Sequence, residues 1–213
     1  MSVEIFRTIP VGPLQVNCYL VGDSASRAAV CIDPGAEGDL VAGAVAELGL
    51  DLRAILITHA HGDHIAGVDE LRHATGAPVL APEGEEDLWA SAQDLMALFG
   101  LYVPQQSEPD RWIQAGSKLA FGPLSFDVLD TRGHSPAGLT FAAEPYAFVG
   151  DAVFQGSIGR TDLPGGNQAT LVDRIRRNIL SLSPDTTLCP GHGPLTTVAA
   201  ESQRNPYLCE SAR

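Results

Sequence analysis

Ile55-Leu56-Ile57-Thr58-His59-Ala60-His61-Gly62-Asp63-His64-Ile65-Ala66-Gly67 holds the densest run of chemically active side chains in the chain. Four metal-ligand types, His59, His61, Asp63 and His64, fall within six residues, directly after an apolar run at 54–57 that reads as a buried strand. Packing alone does not explain that density, because a buried imidazole or carboxylate without a partner is costly. Extended backbone at 59–61 sends both imidazoles to one side. Gly62 permits a sharp turn, and Asp63 and His64 then open a helix expected over 65–74, where side chains point differently. Such a loop can face two metal positions. The plain alternative is solvated histidines with Asp63 as a helix cap.

Outward from this loop, runs at 3–9, 16–21 and 28–32 are short, β-rich and separated by turn residues, as in an antiparallel meander. Asp33 ends the third run, placed either to orient a ligand loop through a hydrogen bond or to make an ordinary turn. Helical spacing follows at 37–48, a strand at 77–81 and a helix at 83–98, and 100–109 reads as a loop. Strands resume at 118–121, 124–130, 138–142 and 147–149, before a helix at 168–182 and a strand at 187–188. Two βαβ-like halves, each giving a sheet with helices outside, fit a four-layer αββα sandwich with two mixed sheets better than one doubly wound sheet. Three further candidates, His134, Asp151 and His192, each follow one of these strands on a glycine-containing loop. His73, mid-helix, is the one histidine left over and reads as a surface residue. Five imidazoles and two carboxylates suffice for two sites if one carboxylate bridges, and a set without thiolate suits Zn²⁺, Mn²⁺ or Fe²⁺.

The 213 residues are expected to form one domain with a large core. Thirteen basic against 26 acidic residues give a net charge of −13, and Lys118 is the single lysine, so nucleic acid is not expected as a partner. No apolar run reaches membrane-spanning length and the N-terminus does not read as a signal peptide, so a cytoplasmic protein is expected. Cys18, Cys31, Cys189 and Cys209 show no disulfide or zinc-finger spacing; the first three read as buried thiols.

The motif Thr58-His59-Ala60-His61-Gly62-Asp63-His64, followed by His134, Asp151 and His192, resembles the metallo-β-lactamase superfamily. Segments 156–166, 190–194 and 205–208 narrow the resemblance to short, single-domain, glyoxalase II-like hydrolases. That resemblance implies His59, His61 and His134 on one metal, Asp63, His64 and His192 on the other, a bridging Asp151, and Asp33 as the strand-end aspartate. It implies one or two divalent ions, zinc foremost with iron or manganese as alternatives. The reaction implied is hydrolysis of a small-molecule thioester such as S-lactoylglutathione by metal-activated water, with Asp63 also orienting that water. Only 21 residues follow His192, so the helical glutathione-binding domain of the longer enzymes is expected to be absent. Arg160 either meets a substrate carboxylate or pairs with Asp162. Persulfide dioxygenases share the scaffold and a segment like Gly159-Arg160-Thr161-Asp162, and iron-dependent dioxygenation is the competing expectation. Homo-oligomerisation is left open.

Overall fold

The computed structural model describes residues 3–209. Strands β1 (Glu4–Val11), β2 (Val16–Gly22) and β3 (Ala28–Ile32) form the antiparallel meander, and β4 (Asp51–Leu56), β5 (Val79–Pro82) and β6 (Arg111–Ile113) then join it in parallel, in the order β1-β2-β3-β4-β5-β6. Helices α1 (Gly38–Glu47), α2 (Gly62–Ile65), α3 (Val68–Thr75) and α4 (Glu86–Ala97) occupy the connections. The second sheet contains β7 (Lys118–Phe121), β8 (Leu124–Asp130), β9 (Leu139–Ala143) and β10 (Tyr146–Gly150), with β13 (Thr187–Pro190) parallel to β10 and β14 (Thr196–Thr197) at its edge. A small hairpin, β11 (Val153–Phe154) and β12 (Ser157–Ile158), leads to α5 (Gln168–Arg174), which runs on as a π-helical turn, Ile175–Ile179; α6 (Val198–Arg204) follows β14.

Three apolar clusters separate four layers. Tyr19, Val30, Ile32 and Leu56 of the first sheet meet Phe126, Phe141 and Phe148 of the second. The first sheet's other face, with Cys18, Ile55 and Val79, packs on Val41, Leu71 and Trp89 of the helices. The second sheet's outer face, with Val149 and Leu188, packs on Leu171, Ile175 and Val198. Strands buried on both sides read as continuous apolar runs. β2 and β3 are accordingly buried at every residue. The αββα expectation therefore holds.

The helix expected over 65–74 is two helices. Gly67 donates its N–H to Pro34 O, and a side chain there would collide with Ala36 O at 2.7 Å, so the chain breaks against the β3–α1 loop. Gly62 is required by crowding: an added Cβ would sit 2.5 Å from Met96 on α4. β6, the β11–β12 hairpin, β14 and α6 are additional to the elements expected from sequence, and each has seven residues or fewer. Cys18, Cys31 and Cys189 are buried free thiols, and His73 is exposed.

Candidate metal centre

Every candidate ligand sits just beyond the C-terminal end of a strand. β3 and β4 run parallel, so Asp33 and the 59–64 loop leave the same edge of the first sheet. β8 and β10 are both antiparallel to β9, and β13 is parallel to β10, so His134, Asp151 and His192 leave one edge of the second. The two edges meet where Leu139 N–H donates to Thr58 O at 2.8 Å. Groups spread across 134 positions are thereby gathered into three overlapping triads whose ligand atoms lie within 4.8 Å of one another: His59, His61 and His134; His59, His64 and Asp151; and Asp63, His64 and His192. Asp151 stands between them, its oxygens 3.4 Å from His64 Nε2, 3.7 Å from His134 Nε2 and 3.6 Å from His192 Nε2. Asp63 Oδ2 lies 3.2 Å from His192 Nε2.

The far nitrogens are held by the protein. His134 Nδ1 lies 2.7 Å from Arg160 O and His192 Nδ1 3.0 Å from Leu14 O, contacts that need an N–H and leave Nε2 as a lone pair. Asp33 accepts from Thr58 N at 2.7 Å, from the Thr58 hydroxyl at 2.6 Å and from His64 Nδ1 at 3.0 Å. With its proton given to Asp33, the Thr58 hydroxyl is left to accept from His59 Nδ1 at 3.1 Å. Asp33 thus orients two imidazoles, one directly and one through Thr58. Its φ of 51° is a left-handed conformation that aspartate tolerates better than most residues.

Buried polar atoms are nearly always hydrogen-bonded. Here His59 Nε2, His61 Nε2, His64 Nε2, His134 Nε2 and Asp151 Oδ1 are all buried without a hydrogen-bond partner. Five orphaned acceptor atoms converging from three strand ends are what a cation would satisfy, and the imidazole–carboxylate set fits a divalent metal. The charge pattern agrees. Burial, reinforced by the neighbouring imidazoles, pushes His59 well below the usual histidine range, and burial with His134 beside it takes His61 to about 4. On the other side, burial works against a charge on His64 and His192, but the carboxylates of Asp151 and Asp63 outweigh it and raise both. Burial likewise opposes ionisation of Asp63 and Asp151, and the adjacent imidazoles overcome it, holding both below the usual carboxylate range.

Glu85 is a supporting residue that the sequence reading does not single out. It is fully buried between β5 and α4 and accepts from Ala60 N at 2.6 Å, from Ala137 N at 2.9 Å and from the Ser135 hydroxyl. One carboxylate therefore ties the His59–His61 segment to the loop following His134. Asn17 and Tyr19 of β2 hold the His192 loop in the same way: Asn17 Nδ2 reaches Pro190 O at 3.1 Å and Gly193 O at 2.9 Å, and Tyr19 OH reaches Pro190 O at 2.7 Å. Glu85 lies in an acidic run before a helix, which in sequence looks like helix-terminus charge; neither it nor Asn17 carries a local signal of burial. Arg160 pairs with Asp162 through two contacts of 2.8 Å, the internal ion pair that was one of its two expected roles.

A family comparison matches residues 11–192 to the metallo-beta-lactamase superfamily. The chain belongs to that superfamily. Among its relatives, hydroxyacylglutathione hydrolase GloC of Haemophilus influenzae is 37% identical over 212 residues, covering 98% of each chain. Among solved structures, BLEG-1 B3 metallo-beta-lactamase superposes with a TM-score of 0.89 at 36% identity, covering 95% of this chain and 98% of that one. TTHA1623, in a di-iron-bound form, gives 0.87 at 39% identity, covering 95% and 100%. The two sheets flanked by helices are the metallo-β-lactamase fold, and the relatives span the same length as this chain. Among the described residues, no helix is long and apolar enough to cross a membrane.

Proposed function

We propose that this metallo-β-lactamase superfamily protein is a metal-dependent hydrolase of thioesters, of the kind represented by S-lactoylglutathione. The carrying observation is the set of five buried, partnerless polar atoms on His59, His61, His64, His134 and Asp151 at one end of both sheets. In this reading His59, His61 and His134 hold one ion, Asp63, His64 and His192 a second, and Asp151 lies between them. Divalent ions so held would lower the pKa of water towards about 7 and polarise a carbonyl oxygen.

The residues supply the rest. Asp63, Asp151, His61, His134 and His192 line a cavity of about 430 Å³, so a carbonyl entering it meets the ligand cluster. The held-down carboxyl of Asp63 stays ionised at neutral pH and can orient water by accepting a hydrogen bond. Hydrolysis forms the acyl C–O bond and breaks C–S. The departing thiolate needs little acid assistance, since free thiols have a pKa of about 8.5. The 37% identity to GloC supports the thioester choice.

The test is metal analysis of purified protein together with a substrate panel containing S-lactoylglutathione, other thioesters and a β-lactam. Thioester turnover that is lost with a chelator and regained with zinc, manganese or iron supports the proposal. A second reading, iron-dependent persulfide dioxygenation, is kept by the Gly159–Asp162 segment. The complete second ligand set favours hydrolysis. Oxygen uptake with glutathione persulfide and bound iron, without thioester turnover, would reverse the choice.

A further inference from the structure

The cavity above the ligand cluster has a chemical character of its own. Leu14, Leu95, Met96, Phe99, Leu101 and Leu163 supply its walls. They come from the β1–β2 turn, α4 and the segment after it, and the loop before α5. Outside the candidate metal ligands, Arg160 is the single charged side chain lining it among the described residues, and it is paired with Asp162. Its guanidinium makes both 2.8 Å contacts to Asp162 and lies 5.8 Å from the centre of the Phe99 ring. Arg160 O meanwhile accepts from His134. Away from Arg160 the walls therefore offer an ammonium or hydroxyl group little to bind, and offer methylene groups a great deal.

The apolar character continues to the mouth. Leu14 is 45% and Phe99 51% exposed, and beside them Leu98 and Tyr102 are each over 80% exposed. Exposed apolar side chains gathered around a cavity mark a ligand-binding surface. The position of the Leu14 wall is fixed by chemistry as well as packing, since Leu14 O accepts from His192 Nδ1 at 3.0 Å. A group attached to a carbonyl that has reached the cluster has this lining immediately around it.

We infer that the site selects thioesters whose acyl group is an unsubstituted alkyl or aryl chain, seated on the Leu95–Phe99 wall, in preference to short hydroxyacyl groups. This inference deepens the hydrolase reading and rests on it for turnover, but the binding preference is independent of turnover. Each methylene transferred from water to the apolar wall should improve binding about fourfold, until the cavity is filled.

The experiment uses the metal-loaded protein and two probes. The first is a series of glutathione thioesters, lactoyl, acetyl, butanoyl and hexanoyl, read as kcat/KM and repeated on an N-acetylcysteamine carrier. The second is calorimetric binding of the free acids lactate, butanoate and hexanoate. The expected result is a rise along the alkyl series on both carriers, lactoyl below butanoyl, hexanoate binding tighter than lactate, and a flatter series in Phe99→Ala. Phe99 is half exposed, so that variant is expected to fold. Lactoyl turned over best, a series flat in chain length, a preference that follows the carrier, or a Phe99→Ala series as steep as the parent's each overturns the inference while leaving a thioesterase. Absence of any thioester turnover with hexanoate still binding more tightly than lactate overturns the hydrolase reading and leaves only the cavity's preference for an alkyl group standing.

Discussion

Replacing Glu85 by Gln keeps the shape of the side chain and removes the double acceptor that ties two ligand loops together. The carboxylate takes two bonds on Oε1, from Ala137 N and the Ser135 hydroxyl, and one on Oε2, from Ala60 N. An amide can keep only one of those oxygens. In the less costly orientation its oxygen serves Ala137 and Ser135, and its NH₂ then faces the Ala60 N–H, donor against donor. One hydrogen bond to a charged acceptor is worth about 1.5–3 kcal/mol. Part of that loss is offset, because burial works against the Glu85 charge and raises its pKa, and a neutral amide escapes that penalty. A net destabilisation of about 1–3 kcal/mol follows, or a Tm lower by very roughly 2–10 °C for a chain this long.

The more telling consequence is at the metal. Ala60 lies between His59 and His61, and Ser135 follows His134, so all three imidazoles of the first triad hang from segments that Glu85 fixes. Loss of groups that orient ligands typically weakens metal affinity about 10–100-fold. Chelator competition followed by thermal unfolding, on parent, Glu85→Gln and Glu85→Asp, reads both quantities. Glu85→Gln protein with parental metal affinity would refute the role given to this carboxylate, whatever its Tm.

Asp151→Ala should abolish metal uptake at both positions and all hydrolysis; a metal-loaded, active variant, by elemental analysis and assay, would remove Asp151 from its bridging place. Asp33→Ala leaves the Thr58 N–H and His64 Nδ1 without their acceptor and should weaken metal binding by about 10–100-fold, measured by chelator competition. Gly191→Ala puts a methyl 2.4 Å from Asp151 Oδ1 and 2.5 Å from His64 Cε1, so stability should fall by about 1–3 kcal/mol in denaturant unfolding, with the ion between Asp63, His64 and His192 lost first. Protons compete with metal for imidazole. His64 and His192 hold theirs more tightly than free histidine, whereas His61 is pushed down to about 4. Bound metal should therefore be lost as pH falls from 8 to 5, seen as a falling content of bound ion in equilibrium dialysis.

What could be read from the sequence divides by range. Ligand types crowded into 59–64 announce themselves because the spacing is local, and β2, β3 and β10 announce themselves because strands covered on both faces are apolar runs, interrupted in β2 by Asn17 alone. The four-layer arrangement follows from the order of those elements. The ligand supports are invisible by the same logic: Glu85 lies 25 residues from Ala60 and 52 from Ala137, and Asn17 lies 173 from Pro190. Two-residue strands such as β11, β12 and β14 have too few positions to show a period, and the break between α2 and α3 depends on the close approach of Gly67 to a distant loop. Arg160 shows the remaining ambiguity, because the same Gly-Arg-Thr-Asp segment serves an anion site or an internal ion pair, and only the fold brings Asp162 and Phe99 to the guanidinium.

The most direct test of the central claim is anomalous X-ray scattering from crystals of protein loaded in turn with zinc, manganese and iron. A peak is expected about 2.0–2.2 Å from ligand atoms of His59, His61 and His134, and a second reached by Asp63, His64 and His192, with Asp151 between the two. Crystals from all three loadings with no peak among these seven side chains would contradict it.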